Sequence, residues 1–144
     1  MTNLLQDLSD MEVLALTIFG ESRGESIEGQ IAVGCVVRNR TIAGGYYKDT
    51  CLEPKQFSCW NVDDPNYEML IDEGQKLFAG DTTDNAILNQ CMWIAEGIMN
   101  HEIIDVTSGA KNYVTSKLWN SVDSPHWTRQ MKISTVIGNH VFLV

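Results

Sequence analysis

Gly20-Glu21-Ser22-Arg23-Gly24-Glu25-Ser26 separates two apolar runs, Met11 to Phe19 and Ile31 to Val37. Both runs repeat their apolar residues at helical spacing, so the heptapeptide is read as a joint between two core helices. Two carboxylates, an arginine and two glycines at such a joint can hold a charged group at the lip of a cleft. Upstream, Ser9 and Glu12 form a capping box, and Leu14, Ala15, Ile18 and Phe19 then share one face. Gly20 and Gly24 are expected to bracket a turn with backbone angles closed to other residues. Downstream, a helix begins near Ser26 or Glu28 and runs to Arg40, with Ile31, Ala32, Cys35, Val36 and Asn39 on one side. Val33 and Val37 widen that set, so this helix is expected to be central and buried on most faces. Arg38 and Arg40 suit the negative end of its dipole.

Gly44-Gly45 opens a long irregular stretch that reaches Pro65 and is rich in aromatics and amides. Glu68 to Ala79 reads as a third helix stopped by Gly80. A fourth starts in Asp81-Thr-Thr-Asp84 and carries Ile87, Cys91, Ile94, Ala95 and Ile98 to about Asn100. Lys111 to Thr115 reads as a short strand, and a polar loop follows through Asp123 to Trp127. Ile133–Ile137 and Val141–Val144 read as a closing hairpin with Asn139 in its turn. The expected fold is α+β, mainly helical, with a small late β element. It is expected to form one domain over residues 1–144.

The net charge of −9 argues against nucleic acid as a partner and against electrostatic capture by an anionic membrane. It also predicts long-range repulsion from anionic polymers, which moderate salt relieves. The first sixteen residues carry Asp7, Asp10 and Glu12 and no Lys or Arg, so no signal peptide is read. Cys35 and Cys91 read as buried free thiols. Cys51 and Cys59 could pair, although a cytosolic chain keeps thiols reduced.

Cleaving a glycosidic bond takes a carboxylic acid to protonate the leaving oxygen, and such acids work in apolar, partly dry settings. Glu21 follows Ile18-Phe19-Gly20 at a helix end and is the candidate. Glu25 could pair with Arg23 or orient the loop instead of acting directly. Sugars stack on aromatic faces and hydrogen-bond to amides and hydroxyls. Trp60, Tyr113, Trp119 and Trp127 lie in loop-rich segments beside Gln56, Ser58, Asn61, Asn112 and Asn120. Trp93, in the fourth helix, reads as core. A zinc site drawn from His126, His140 and Asp105 or Cys59 is a minority reading without a compact signature, so no metal and no cofactor is expected.

Ala15 to Glu25 resembles the "GEARGE" signature of the SleB-like cell wall hydrolases, the family of the spore cortex-lytic enzymes. Gly29 to Val33 with Val37-Arg38-Asn39-Arg40, then Gln56 to Trp60, resemble its next blocks. Asp105 to Ala110, Tyr113, Pro125-His126-Trp127 and Ile137 to Phe142 resemble the later ones, in order. The resemblance implies a lysozyme-like domain that cleaves peptidoglycan between N-acetylmuramic acid and N-acetylglucosamine. It implies a lytic transglycosylase in which Glu21 is the catalytic acid and then the base. A muramidase using the same Glu21, and more distantly a zinc amidase, are the alternatives. Joined to the loop chemistry, it gives a substrate-binding set of Glu25, Gln56, Ser58, Trp60, Tyr113, Trp127 and His140. The expected partner is the peptidoglycan glycan strand, met by a monomer without stable membrane association. The chain shows neither the signal peptide nor the extra peptidoglycan-binding domain of the spore enzymes. The expectation is therefore a phage endolysin, held in the host cytoplasm until release to the wall.

Overall fold

The structure is a computed structural model and describes residues 4–81 and 85–144. Its hub is helix α2, Asp10–Ser22. The capping box forms: the Ser9 hydroxyl accepts from the Glu12 amide at 3.1 Å, and the Glu12 carboxylate accepts from the Ser9 amide at 2.9 Å. Val13 through Phe19 are all buried, so α2 has no solvent face. Each fully buried Leu, Ile or Phe in it contributes about 1.5–3 kcal/mol. Helix α1, Leu4–Asp7, precedes it, and α3, Ile27–Arg40, follows behind its Ser26 cap. α4, Tyr47–Leu52, breaks the stretch expected to be irregular. α5, Tyr67–Phe78, ends at Gly80, which takes φ +81°. α6, Ala86–Met99, is capped by Asn85; part of the start expected at Asp81 to Asp84 lies outside the described residues. Helices α3 to α6 pack round α2, and α1 packs on α5.

Two expectations need correction, and the open pairing of Cys51 with Cys59 is decided. Gly20 belongs to the last turn of α2, and neither it nor Gly24 has a positive φ. What Gly20 needs is space: a Cβ there would lie 2.8 Å from the Cβ of Cys59 and 2.8 Å from a methyl of Leu70. Trp93 is not core; it stands on the outer face of α6 with 65% of its surface exposed. Cys51 and Cys59 do not pair: all four cysteines are buried and free. Burial pushes the Cys51 and Cys91 thiols up to about 12, which leaves them unreactive.

The β element is a three-stranded antiparallel sheet of β1, Asn112–Thr115, β2, Ile133–Ile137, and β3, His140–Leu143, in the order β1-β3-β2. The expected hairpin is β2–β3, and its second strand inserts beside β1, pairing Tyr113 with Phe142 and Thr115 with His140. A short helix, α7, Ser116–Trp119, follows β1. The sheet docks on α3 through Ala32, Val36, Ala110, Ile137 and Phe142.

Polar ties reinforce this contact. Asn39 at the end of α3 donates to the Asp105 carboxylate and to the Ala110 carbonyl, both at 2.9 Å. Asp105 also accepts from the Thr107 amide and hydroxyl and from the Gly109 amide. Partial burial pushes the Asp105 carboxyl up, but these donors outweigh it and hold it at about 2. The second tie runs from Glu25 to the hairpin turn, where Asn139 donates its backbone N–H at 2.9 Å and its side-chain amide at 3.0 Å. Gly138 in that turn has φ +57°, and a Cβ on it would come within 2.7 Å of the Glu25 carboxylate.

Candidate active site

Glu21 sits in the final turn of α2, where Gly20 lets the segment around Cys59 approach the helix. Residues far apart in the chain therefore meet its carboxylate. The Cys59 backbone N–H donates to Oε2 at 3.1 Å, and the Ser58 hydroxyl lies 3.5 Å from the same oxygen. From the other side the Tyr113 hydroxyl of β1 donates to Oε1 at 2.5 Å. The Tyr113 ring is braced by His140 and Phe142 of β3, with centroids 5.0 and 5.7 Å away. Burial, and then the adjacent Glu21 charge, push the Tyr113 hydroxyl well above the usual tyrosine range. Tyr113 therefore keeps its proton.

Glu21 opens into a cleft of about 750 Å³. One wall comes from the helical half: Gly20, Glu21, Arg40, Asn66 and the loop carrying Lys55, Gln56 and Ser58. The facing wall comes from the sheet side: β1, Leu118, Trp127 and His140. Glu21 is the only carboxylate among the described residues lining it. Trp127 is half exposed and offers a flat apolar surface to the cleft.

The structure thus gathers Glu21, Gln56, Ser58, Tyr113, Trp127 and His140 in one place, and leaves Glu25 and Trp60 outside the lining. Glu25 holds the hairpin turn instead, and Arg23, its partner in one of the two roles considered for it, donates to Asn66 at 2.7 Å. Trp60 packs on the helical core and donates its indole N–H to the Thr17 hydroxyl at 2.9 Å, anchoring the loop that carries Ser58 and Cys59. His140 places Nδ1 3.5 Å from Glu25, yet that buried atom makes no hydrogen bond among the described residues. Burial lowers the His140 pKa more than the charges of Glu25 and Glu21 raise it, so at neutral pH the imidazole is uncharged. Glu25 and His140 are then close neighbours and not an ion pair.

Arg40, Lys55, Asn66 and Leu118 also line the cleft and were not singled out. Arg40 reads from sequence as a dipole cation; only the fold brings its guanidinium to the Gln56 side chain, sixteen residues on. The residues considered for zinc do not converge. His126 is exposed, the Asp105 carboxylate is filled by loop donors, and no three of His, Cys, Asp or Glu gather as a metal site among the described residues.

The family model for cell wall hydrolases matches residues 24–143. The chain belongs to that family. The match begins at Gly24, just past Glu21, so the place of Glu21 rests on the geometry above. The fold is that of the crystal structure of the catalytic domain of the Bacillus cereus SleB protein. The two are 25% identical over 96% of this chain and 91% of that one, with a TM-score of 0.63. The catalytic domain of the germination-specific lytic transglycosylase SleB from Bacillus anthracis shares the fold at 22% identity. There the coverage is 94% and 93% and the TM-score 0.64. No curated protein sequence matches the chain. As expected from sequence, this cell wall hydrolase is mainly helical with a small three-stranded sheet.

Proposed function

We propose that this cell wall hydrolase is a peptidoglycan lytic transglycosylase with Glu21 as its one acid and base. The observation that carries the reading is the solitary carboxylate: among the described residues no second acid lines the cleft. Two-carboxylate glycosidases need a partner across the sugar. A transglycosylase does not, because one carboxyl serves both steps.

In the first step Glu21 gives its proton to the oxygen linking N-acetylmuramic acid to N-acetylglucosamine, and the bond from that oxygen to the muramoyl C1 breaks. In the second, the carboxylate takes the proton of the muramoyl 6-hydroxyl as its oxygen bonds to C1, closing a 1,6-anhydro ring. No water is consumed, and Glu21 ends as it began. The hydrogen bonds distinguish its two oxygens. A backbone amide can only donate, so Cys59 fixes Oε2 as an acceptor. The Tyr113 hydroxyl can turn and accept, so Oε1 is the oxygen that carries the exchanged proton. Trp127 supplies a stacking face, and Gln56, Ser58 and Asn112 supply polar contacts for the sugars.

Glu21→Gln keeps the shape and removes the proton exchange. It should lower muropeptide release by about 10²- to 10⁴-fold, the usual range for general acid–base groups, with the thermal midpoint nearly unchanged. Full activity in that variant overturns the proposal. Mass spectrometry of the products tests the second step: anhydro ends support it, and reducing ends assign a muramidase with the same acid. As part of the proposal the protein is a monomeric phage lysis enzyme that meets the wall after release from the host cytoplasm. Lysis of an expressing bacterium that depends on a co-expressed membrane-permeabilising protein tests that role.

A further inference from the structure

The cleft contradicts the charge of the whole chain. Acidic residues outnumber basic ones 19 to 10, yet two cations, Arg40 and Lys55, line the cleft beside a single carboxylate. Neither has a carboxylate within 4.0 Å among the described residues, whereas Lys76 has one in Glu73, at 3.7 Å. Arg40 also borders a second depression, whose lining includes Asp49 and Glu53.

Arg40 is held in place without being neutralised. Its Nη2 donates to the Gln56 side-chain oxygen, and its guanidinium lies over the Phe57 ring at 5.1 Å. A guanidinium has five N–H donors in a fork that matches a carboxylate, so donors remain for a ligand. Lys55 is exposed and takes φ +67°, a left-handed conformation that a residue with a side chain adopts at some cost. Both cations are near the proposed chemistry. Lys55 is four residues from Cys59, whose amide touches Glu21, which limits their separation to about 14 Å even for extended chain. The charge of Arg40 is also felt at the Tyr113 hydroxyl.

We propose that Arg40 and Lys55 form a subsite for the free carboxylates of the peptide stem carried by the muramoyl residue. The inference rests on the glycan-cleaving reading and adds a substrate preference to it. The backbone sugars of such a strand are uncharged, and the stem supplies the carboxylates. A fork-shaped cation next to a mobile one suits such a group. The subsite also reverses, inside the cleft, the long-range repulsion that the net charge imposes outside it.

The test compares purified strands, freed of phosphate-bearing wall polymers, with the same strands after chemical amidation of their carboxyls. For the wild-type protein kcat/KM should fall about tenfold on amidation, the effect of losing one good charged contact. Lys55→Met, at an exposed position that cannot upset the core, should bring that ratio close to one, and Arg40→Met should do the same. Lys76→Met, on the outer surface, should retain the tenfold ratio. Equal cleavage of both strands by the wild type, or a ratio that survives both cleft substitutions, overturns the subsite and leaves the transglycosylase reading standing. A preference that appears only when phosphate polymers remain attached also overturns it. Absence of any glycan cleavage by the wild type removes both.

Discussion

Tyr113→Phe separates the positioning of Glu21 from its chemistry. The substitution deletes one oxygen, the donor 2.5 Å from Oε1, and keeps the ring contacts with His140 and Phe142. A hydrogen bond to a charged group contributes about 1.5–3 kcal/mol. If all of it serves to orient the carboxyl, the rate falls about 10- to 150-fold, at 1.36 kcal/mol per factor of ten. Because the cleft is open, water can replace the lost donor, which places the expected fall in the lower part, about 10- to 40-fold. The loss should appear in kcat with KM nearly unchanged, since Tyr113 acts through Glu21. Stability should change by less than about 1 kcal/mol, because solvent meets the freed Oε1. The assay is kcat for muropeptide release from purified peptidoglycan, with a thermal melt on the same preparation. A kcat within twofold of wild type would refute the reasoning. So would a loss carried by KM alone.

Other substitutions probe the frame around this site. Gly20→Ala adds a methyl 2.8 Å from the Cβ of Cys59; the overlap should cost about 1–3 kcal/mol, more than the roughly 1 kcal/mol gained in helix propensity. A lower melting temperature together with a lower kcat checks it, because the displaced Cys59 amide is a donor to Glu21. Glu25→Gln sets an amide against the Asn139 donors and should destabilise by about 1 kcal/mol in chemical denaturation at pH 7, with anhydro product still formed. Asp105 is lowered from 3.8 to about 2 in the folded chain, so its contribution is present above pH 3.8 and lost as pH falls towards 2. The shift corresponds to about 2 kcal/mol after allowance for solvent screening. Urea midpoints between pH 5 and pH 2 should fall less steeply for Asp105→Asn than for wild type, and parallel slopes would contradict the assignment.

The helical frame was legible in the sequence because its signals are local. The Ser9–Glu12 box, the Ser26 cap and the Gly80 stop each lie within a few residues of the boundary they set. The hairpin was legible too, from the short apolar-rich segments on either side of Gly138-Asn139. Glu21 was visible as a charged group at the end of an apolar run. What could not be read is everything that depends on long-range contact. Gly20 looked like a turn residue because the sequence does not reveal that Cys59 will press against it. Trp60 looked like a sugar platform until the fold turned its indole towards Thr17. Arg40 carried no mark of a cleft residue, since its relation to Gln56 and Phe57 exists only after α3 and the loop meet. Trp93 failed for a different reason: helical position alone does not say which face meets the core.

The two glutamates of the opening stretch divide one task. The helical half and the sheet share a modest apolar contact through Ala32, Val36, Ala110, Ile137 and Phe142, and polar groups add three further crossings. Asn39 reaches Asp105, Glu25 reaches Asn139, and Glu21 reaches Tyr113. The residues of the first two lie outside the cleft lining, and although burial pushes their carboxyls up, the donors they accept hold them below their ordinary values. They can therefore serve as fixed pins. The third crosses the cleft itself, and its donor, Tyr113, keeps its proton. A substrate entering between the walls can take over one side of that contact without loosening the other two. The geometry that orients Glu21 in the free protein thus comes from the same two walls that would hold the sugar. The joint at residues 20–26 supplies both the group proposed to react and the pin that keeps its opposing wall in register.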